Sequence, residues 1–170
     1  MILTRDIVLK EIKDGNITIS PFDESLLGPA SYDLKLGNTL RVFTPRTEPY
    51  EVRDDADFAH LTELIELTDK GYTMKPGETM LGVTKEKITL ASHIAGWLEG
   101  RSRFARIGLM VHISSPFMQP GIDNHQVLEI ANLSPTPLTI FPDTKICQFI
   151  FEYCEGKATY IGKFSKQDTA

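Results

Sequence analysis

Apolar positions along this chain keep a helical spacing only at the start. Ile7, Val8, Leu9 and Ile12 gather on one side of a 3.6-residue repeat, with Asp6 in the first turn and Lys10 and Lys13 towards the end. That order of charge complements the partial charges at the two ends of a helix. Thr4 stands where an N-cap belongs, and Asp14-Gly15-Asn16 supplies the stop. Beyond residue 16 the period falls to two: Ile17 and Ile19 alternate with polar neighbours, as do Tyr32, Leu34 and Leu36. Short apolar runs follow at 40–43, 72–74, 80–83, 88–90, 109–113, 127–131, 138–140 and 146–153. Gly or Pro separates most of them, notably Gly37, Pro76-Gly77 and Pro120-Gly121. Short strands with turns at this spacing predict a mainly β fold, an antiparallel sandwich or barrel rather than a wound α/β sheet. Residues 44–66, rich in Pro, Asp and Glu, are expected to form a long excursion from it, and residues 162–170 a polar tail.

Composition narrows the class. A chain of 170 residues suits one domain over 1–170, and 41% hydrophobic with 24% charged residues suits a globular protein with its own core. The net charge of −5 argues against a nucleic-acid binder, whose footprint is a basic excess, while leaving room for a small anion held by a few arginines. No run reaches the ~18 apolar residues of a membrane span, and the first four residues lead into charged ones rather than into a signal peptide. The expectation is a cytoplasmic protein without membrane or nucleic-acid partners. Cys147 and Cys154, with six residues between them, make neither a disulfide framework nor a zinc knuckle.

Two features carry chemistry. Residues 99–106, Glu-Gly-Arg-Ser-Arg-Phe-Ala-Arg, place Arg101, Arg103 and Arg106 around a helix start at Gly100 and Ser102. Unpaired backbone N–H groups and planar guanidiniums together make an anion cradle, although an ordinary solvated basic turn would read the same. The second feature is Glu129 in Val127-Leu128-Glu129-Ile130-Ala131-Asn132. In a strand it shares a face with Val127 and Ala131 while Leu128 and Ile130 point the other way. If both faces are covered, burial raises its pKa and suits it to take and return a proton; otherwise it is a solvent-facing Glu. His112, in its apolar run, is expected to be a satisfied strand residue, and His60, His93 and His125 show no metal-site pairing. The His-x-Glu and Pro-Cys-x-x-Cys signature of zinc deaminases is absent, so any base deamination by this chain would be zinc-free.

The run 96–112, Gly-Trp-Leu-Glu-Gly-Arg-Ser-Arg-Phe-Ala-Arg-Ile-Gly-Leu-Met-Val-His, closely resembles the dCTP deaminase signature of the dCTP deaminase/dUTPase superfamily. Ser31 to Asn38, Val127-Leu128-Glu129 with Asn132, and Gly162-Lys163-Phe164-Ser165-Lys166-Gln167 match the same family in order. The resemblance implies a distorted, jelly-roll-like β barrel of the dUTPase-like (β-clip) kind, with a short N-terminal helix and a short helix at the active site. It also implies a homotrimer with sites shared between subunits. By resemblance, Glu129 is the general acid/base that activates water against cytosine C4, and Ser102 and Arg106 orient it. Arg101, Ser102, Arg103, Phe104, Ala105 and Arg106 would hold the nucleotide triphosphate with Mg²⁺ bridging its oxygens. Gln119, Val127 and Leu128 would line the sugar and base. Tyr160, Lys163 and Gln167, in a tail over 157–170, would close over the nucleotide.

The expected reaction is hydrolysis of dCTP to dUTP and ammonia. Departures from the family pattern are Arg103 where many members have Ser, Ser114-Ser115-Pro116-Phe117 where a Thr-Ala pair is commoner, and Gln119 where many have Asp. Gln119 can hydrogen-bond but cannot serve as a carboxylate base, which disfavours a second hydrolysis to dUMP and diphosphate. A dUTPase or bifunctional enzyme remains the alternative, and a non-catalytic nucleotide-binding barrel a third.

Overall fold

The computed structural model describes residues 1–112 and 114–162. Two helices and eleven strands follow one another as α1 (Arg5–Lys13), β1 (Ile17–Ser20), β2 (Tyr32–Phe43), β3 (Thr62–Glu66), β4 (Tyr72–Met74), β5 (Thr79–Leu90), β6 (Ile94–Gly100), α2 (Ser102–Ala105), β7 (Leu109–Val111), β8 (Phe117–Met118), β9 (Asp123–Asn132), β10 (Leu138–Ile140) and β11 (Lys145–Tyr153). All strand pairs are antiparallel. The large sheet runs β7-β9-β5-β2-β11-β6-β8, with β1 added to β5 and β3 to β2, while β4 and β10 pair separately. This is the mainly β, distorted jelly-roll-like barrel with two short helices that the resemblance implied, its sheet curled into a half-barrel.

Strict alternation builds the interior. Tyr32, Leu34, Leu36 and Leu40 of β2, Met80 and Ile88 of β5, Leu128 and Ile130 of β9, and Phe149 and Phe151 of β11 are all sealed from solvent. Helix α1 buries Val8 and packs Ile7, Leu9 and Ile12 against this core, as its spacing predicts. Thr4 is the N-cap residue, but its hydroxyl donates to the Asp6 carboxylate instead of capping a backbone N–H. One member of α1 escaped the pattern. Glu11 is only 4% exposed and accepts hydrogen bonds from the Tyr153 hydroxyl at 2.6 Å and Asn16 Nδ2 at 2.7 Å.

Several boundaries differ from the sequence expectation. The runs at 40–43 and 80–83 are not separate strands but parts of the twelve-residue β2 and β5. Residues 62–66 leave the excursion to form β3 along β2, so the true excursion is 44–61. β6 carries no alternation in sequence because Gly96 lies against Phe149. A Cβ there would stand 2.0 Å from that ring, so only glycine lets β6 reach β11. Between β5 and β9 the register slips, the three residues between Val83 and Lys87 facing only Gln126 on β9. Thr84 repairs the break: its hydroxyl accepts from Gln126 N at 2.9 Å and donates to Glu86 O at 2.8 Å. Glu86, 1% exposed, accepts from Lys35 N at 2.8 Å, and burial holds its carboxyl above the usual carboxylate range.

Candidate active site

Strand β9 carries the site. Its even positions, Asn124, Gln126, Leu128 and Ile130, are buried, while His125, Val127 and Glu129 lie half-exposed on the other face. Leu128 therefore belongs to the core, and its side chain takes no part in the cleft. A cleft of about 470 Å³ opens beside Glu129, with Val127, Gln119 and Tyr160 along its wall. The sequence had singled out these four, and the fold brings them together. Tyr160 is delivered by a main-chain bond from its N–H to Pro120 O at 2.9 Å, next to Gly121, whose φ of +77° turns the chain there. Lys163 and Gln167 lie outside the described residues.

Glu129 is half-exposed rather than covered on both faces, yet its Oε2 is buried and has no hydrogen-bond partner. The only other buried side-chain polar atom without a partner among the described residues is His112 Nδ1, 3.9 Å away. His112 follows β7 with φ +58°, its N–H donating to Glu129 O at 2.6 Å and its Nε2 lying 2.6 Å from Ser115 O. The expectation of a satisfied strand histidine is thus corrected: one ring nitrogen is anchored and the other faces a carboxylate without a bond to it. An unsatisfied buried polar atom costs about 1–3 kcal/mol, so two together mark a place where packing has not been optimised for stability. The period of the sequence could not show this, because it depends on the left-handed turn that ends β7.

Sequence reasoning also missed the aromatic wall. Phe43 ends β2 and Phe58 stands in the 44–61 excursion, and both line the cleft. The excursion is held by Tyr50, whose hydroxyl accepts from Asp57 N at 3.1 Å and donates to Asp57 O at 3.3 Å. Arg41 lies over the Phe58 ring at 5.4 Å. Deeper in, Gln126 Nε2 donates to Asn124 Oδ1 at 2.8 Å and Asn124 O at 3.2 Å, an amide pair that only its position on the buried face of β9 could have flagged.

The arginine cluster stands apart. None of Arg101, Ser102, Arg103, Phe104, Ala105 or Arg106 lines the cleft, and no hydrogen bond joins Glu129 to Ser102 or Arg106. Helix α2 starts at Ser102, within the expected helix start: Arg101 is the N-cap, and no side chain caps the helix. Arg101 is committed to the fold, its Nη2 3.3 Å from Asp33 Oδ2 and its Nη1 donating to Lys145 O at 3.1 Å. Ser102, Arg103 and Arg106 are exposed, and Arg103 and Arg106 form no ion pair among the described residues. Both cysteines are free, and burial pushes the Cys147 thiol up, which leaves it inert. No group of three His, Cys, Asp or Glu among the described residues could hold a metal ion, and no helix is long and apolar enough to cross a membrane.

The fold and the sequence have counterparts among known proteins. In the solved dCTP deaminase of Agrobacterium tumefaciens the same fold recurs with a TM-score of 0.69 at 17% identity, over 88% of this chain and 47% of that one. The dUTPase of Staphylococcus aureus phage phi11 matches with a TM-score of 0.51 at 11% identity, over 86% and 96%. Sequence relatives lie nearer. A dCTP deaminase of Marinomonas sp. is 39% identical over 98% of this chain and 89% of its own length. A dUMP-forming dCTP deaminase of Nocardioides sp. is 35% identical over 98% and 91%. The dCTP deaminase-like family model matches residues 2–154, and the chain belongs to that family.

Proposed function

We propose that this chain catalyses the hydrolytic deamination of dCTP, with Glu129 as general acid/base. The observation that carries the reading is Glu129 at the wall of a cleft large enough for a nucleoside, with one carboxylate oxygen buried and unpartnered. The carboxylate takes a proton as water attacks C4 of cytosine, returns it to N3, and assists departure of the 4-amino group as ammonia. Water enters and ammonia leaves, so the balance closes without a redox partner. Phe43 and Phe58 supply an apolar wall against which the base would lie. Tyr160, with Lys163 and Gln167 in the tail, would cover the nucleotide.

Ser102 and Arg106 do not reach Glu129 within one chain, which supports a site completed between copies, as in the trimer that the resemblance implies. Arg106 and Arg103, exposed and without ion-pair partners, would face the triphosphate of a nucleotide bound to a second copy. Mg²⁺ would ride on the phosphate oxygens and neutralise part of their charge. Arg101 would act through Asp33 and Lys145, steadying α2.

The reading of the product rests on Gln119. Glu129 is the only carboxylate lining the cleft among the described residues, and an amide cannot activate a second water against the α-phosphorus. This favours dUTP. The names of relatives such as that of Nocardioides favour the other reading, in which deamination continues to dUMP and diphosphate. Incubation with dCTP and Mg²⁺ followed by ion-exchange separation decides between them. Equimolar dUTP and ammonia supports the first reading, and dUMP with diphosphate the second. Unchanged dCTP overturns both, as does full activity in Glu129→Gln.

A further inference from the structure

We infer that His112 is a positioning residue for Glu129: one proton bridges His112 Nδ1 and Glu129 Oε2 and fixes the plane of the carboxyl group. The inference rests on the role proposed for Glu129 and adds a residue to it. A backbone carbonyl can only accept, so the 2.6 Å contact between Nε2 and Ser115 O requires a hydrogen on Nε2. That fixes the ring and leaves Nδ1 aimed at Oε2. Both atoms are buried, neither has another partner, and they stand 3.9 Å apart. Without a shared proton two lone pairs would face each other; with one, a hydrogen bond forms once the gap closes to about 2.8 Å.

The backbone reinforces the pairing. His112 N donates to Glu129 O at 2.6 Å, so ring and main chain of one residue grip side chain and main chain of the other. The left-handed φ of +58° is what turns the ring back towards β9. The other titratable side chains lining the cleft among the described residues are His125, whose Nδ1 is engaged 3.0 Å from Thr84 O, and Tyr160. The bridging proton does not enter the reaction. It holds Oε2, so that Oε1 is the oxygen that takes the proton from water and passes it to the pyrimidine.

The test uses the full-length protein. Long-range ¹H–¹⁵N spectra of the histidine rings should show the His112 Nδ1 resonance displaced in Glu129→Gln, where the carboxylate that shares the proton is gone. An unchanged resonance overturns the inference. In parallel, His112→Asn, a residue that tolerates a left-handed backbone, should lower kcat for dCTP by about 10²-fold with KM nearly unchanged, as misplacement of a catalytic group does. His112→Asn with normal kcat beside an inactive Glu129→Gln would refute the role of His112 alone. An active Glu129→Gln would instead refute the role of Glu129. If His112→Asn does not fold, the spectra of Glu129→Gln still decide.

Discussion

Asn132 and Glu129 sit three residues apart on β9, and the fold treats them in opposite ways. Asn132 is wholly buried with every polar atom used: its Nδ2 donates to Met74 O at 3.1 Å and Thr136 O at 2.9 Å, and its Oδ1 accepts from Ser134 N at 3.0 Å and Ser134 Oγ at 2.8 Å. Glu129 keeps one buried oxygen with no partner, opposite an equally unpartnered His112 nitrogen. Both residues fall within the stretch that resembles the family's catalytic strand. The difference in hydrogen bonding separates them: Asn132 ties the end of β9 to β4 and to the turn before β10, whereas Glu129 stands at the wall of the cleft with a buried oxygen tied to nothing.

Four experiments would break or sharpen that contrast. The largest effect concerns activity. Glu129→Gln should lower kcat for dCTP by about 10³-fold while moving the melting temperature little, since the amide keeps the shape of the carboxyl group. If the site is shared, mixing Glu129→Gln with Arg106→Ala protein, each inactive, should restore part of the activity through mixed assemblies. No recovery would place the whole site within one chain. Next comes stability. Asn132→Ala removes four hydrogen bonds and strands their partners, which should cost about 3 kcal/mol and lower Tm by roughly 6–12 °C. The activity of the molecules that remain folded should survive. A loss of kcat without a loss of Tm would erase the distinction between the two positions.

The smallest effect is a pH dependence of opposite sign at two buried glutamates. The Tyr153 hydroxyl, then Asn16 and Lys10, hold the Glu11 carboxyl below its ordinary range. Glu11 therefore adds stability above its unfolded pKa and loses it as pH falls through the folded one. Burial holds Glu86 above the range, so its ionisation costs stability, and that cost disappears on acidification. Thermal melts from pH 7 to pH 3 should show the wild-type advantage over Glu11→Gln shrinking, and the comparison with Glu86→Gln moving in favour of wild type. Parallel trends would overturn both assignments.

How legible these features were in the sequence depends on which force placed them. Alternation in β1, in the first half of β2 and in β11 is a one-dimensional record of burial, and it survives in the chain. β6 left no such record, because Gly96 is chosen by a ring on the neighbouring strand. β3 was hidden because its outer positions, Glu63, Leu64 and Glu66, are exposed on a strand that, among the described residues, pairs only with β2. Glu129 was visible as one charge in an apolar run, and Gln119, Val127 and Tyr160 through the resemblance. His112, Gln126 and the Phe43–Phe58 wall were not, since a left-handed turn, a register slip and a long excursion bring them in. The arginines were visible as a cluster, but not the division of labour among them.

That division has a consequence for how the protein should respond to its medium. Arg101 is bound at close range to Asp33, a pair that mobile ions screen little, whereas Arg103 and Arg106 project into solvent, where the Debye length is about 8 Å at physiological ionic strength. Raising the salt concentration should therefore weaken the hold on a polyphosphate long before it loosens the helix that presents those side chains. On the proposed reading, nucleotide affinity and structural integrity would be tuned by separate guanidinium groups, although six residues of sequence contain them all.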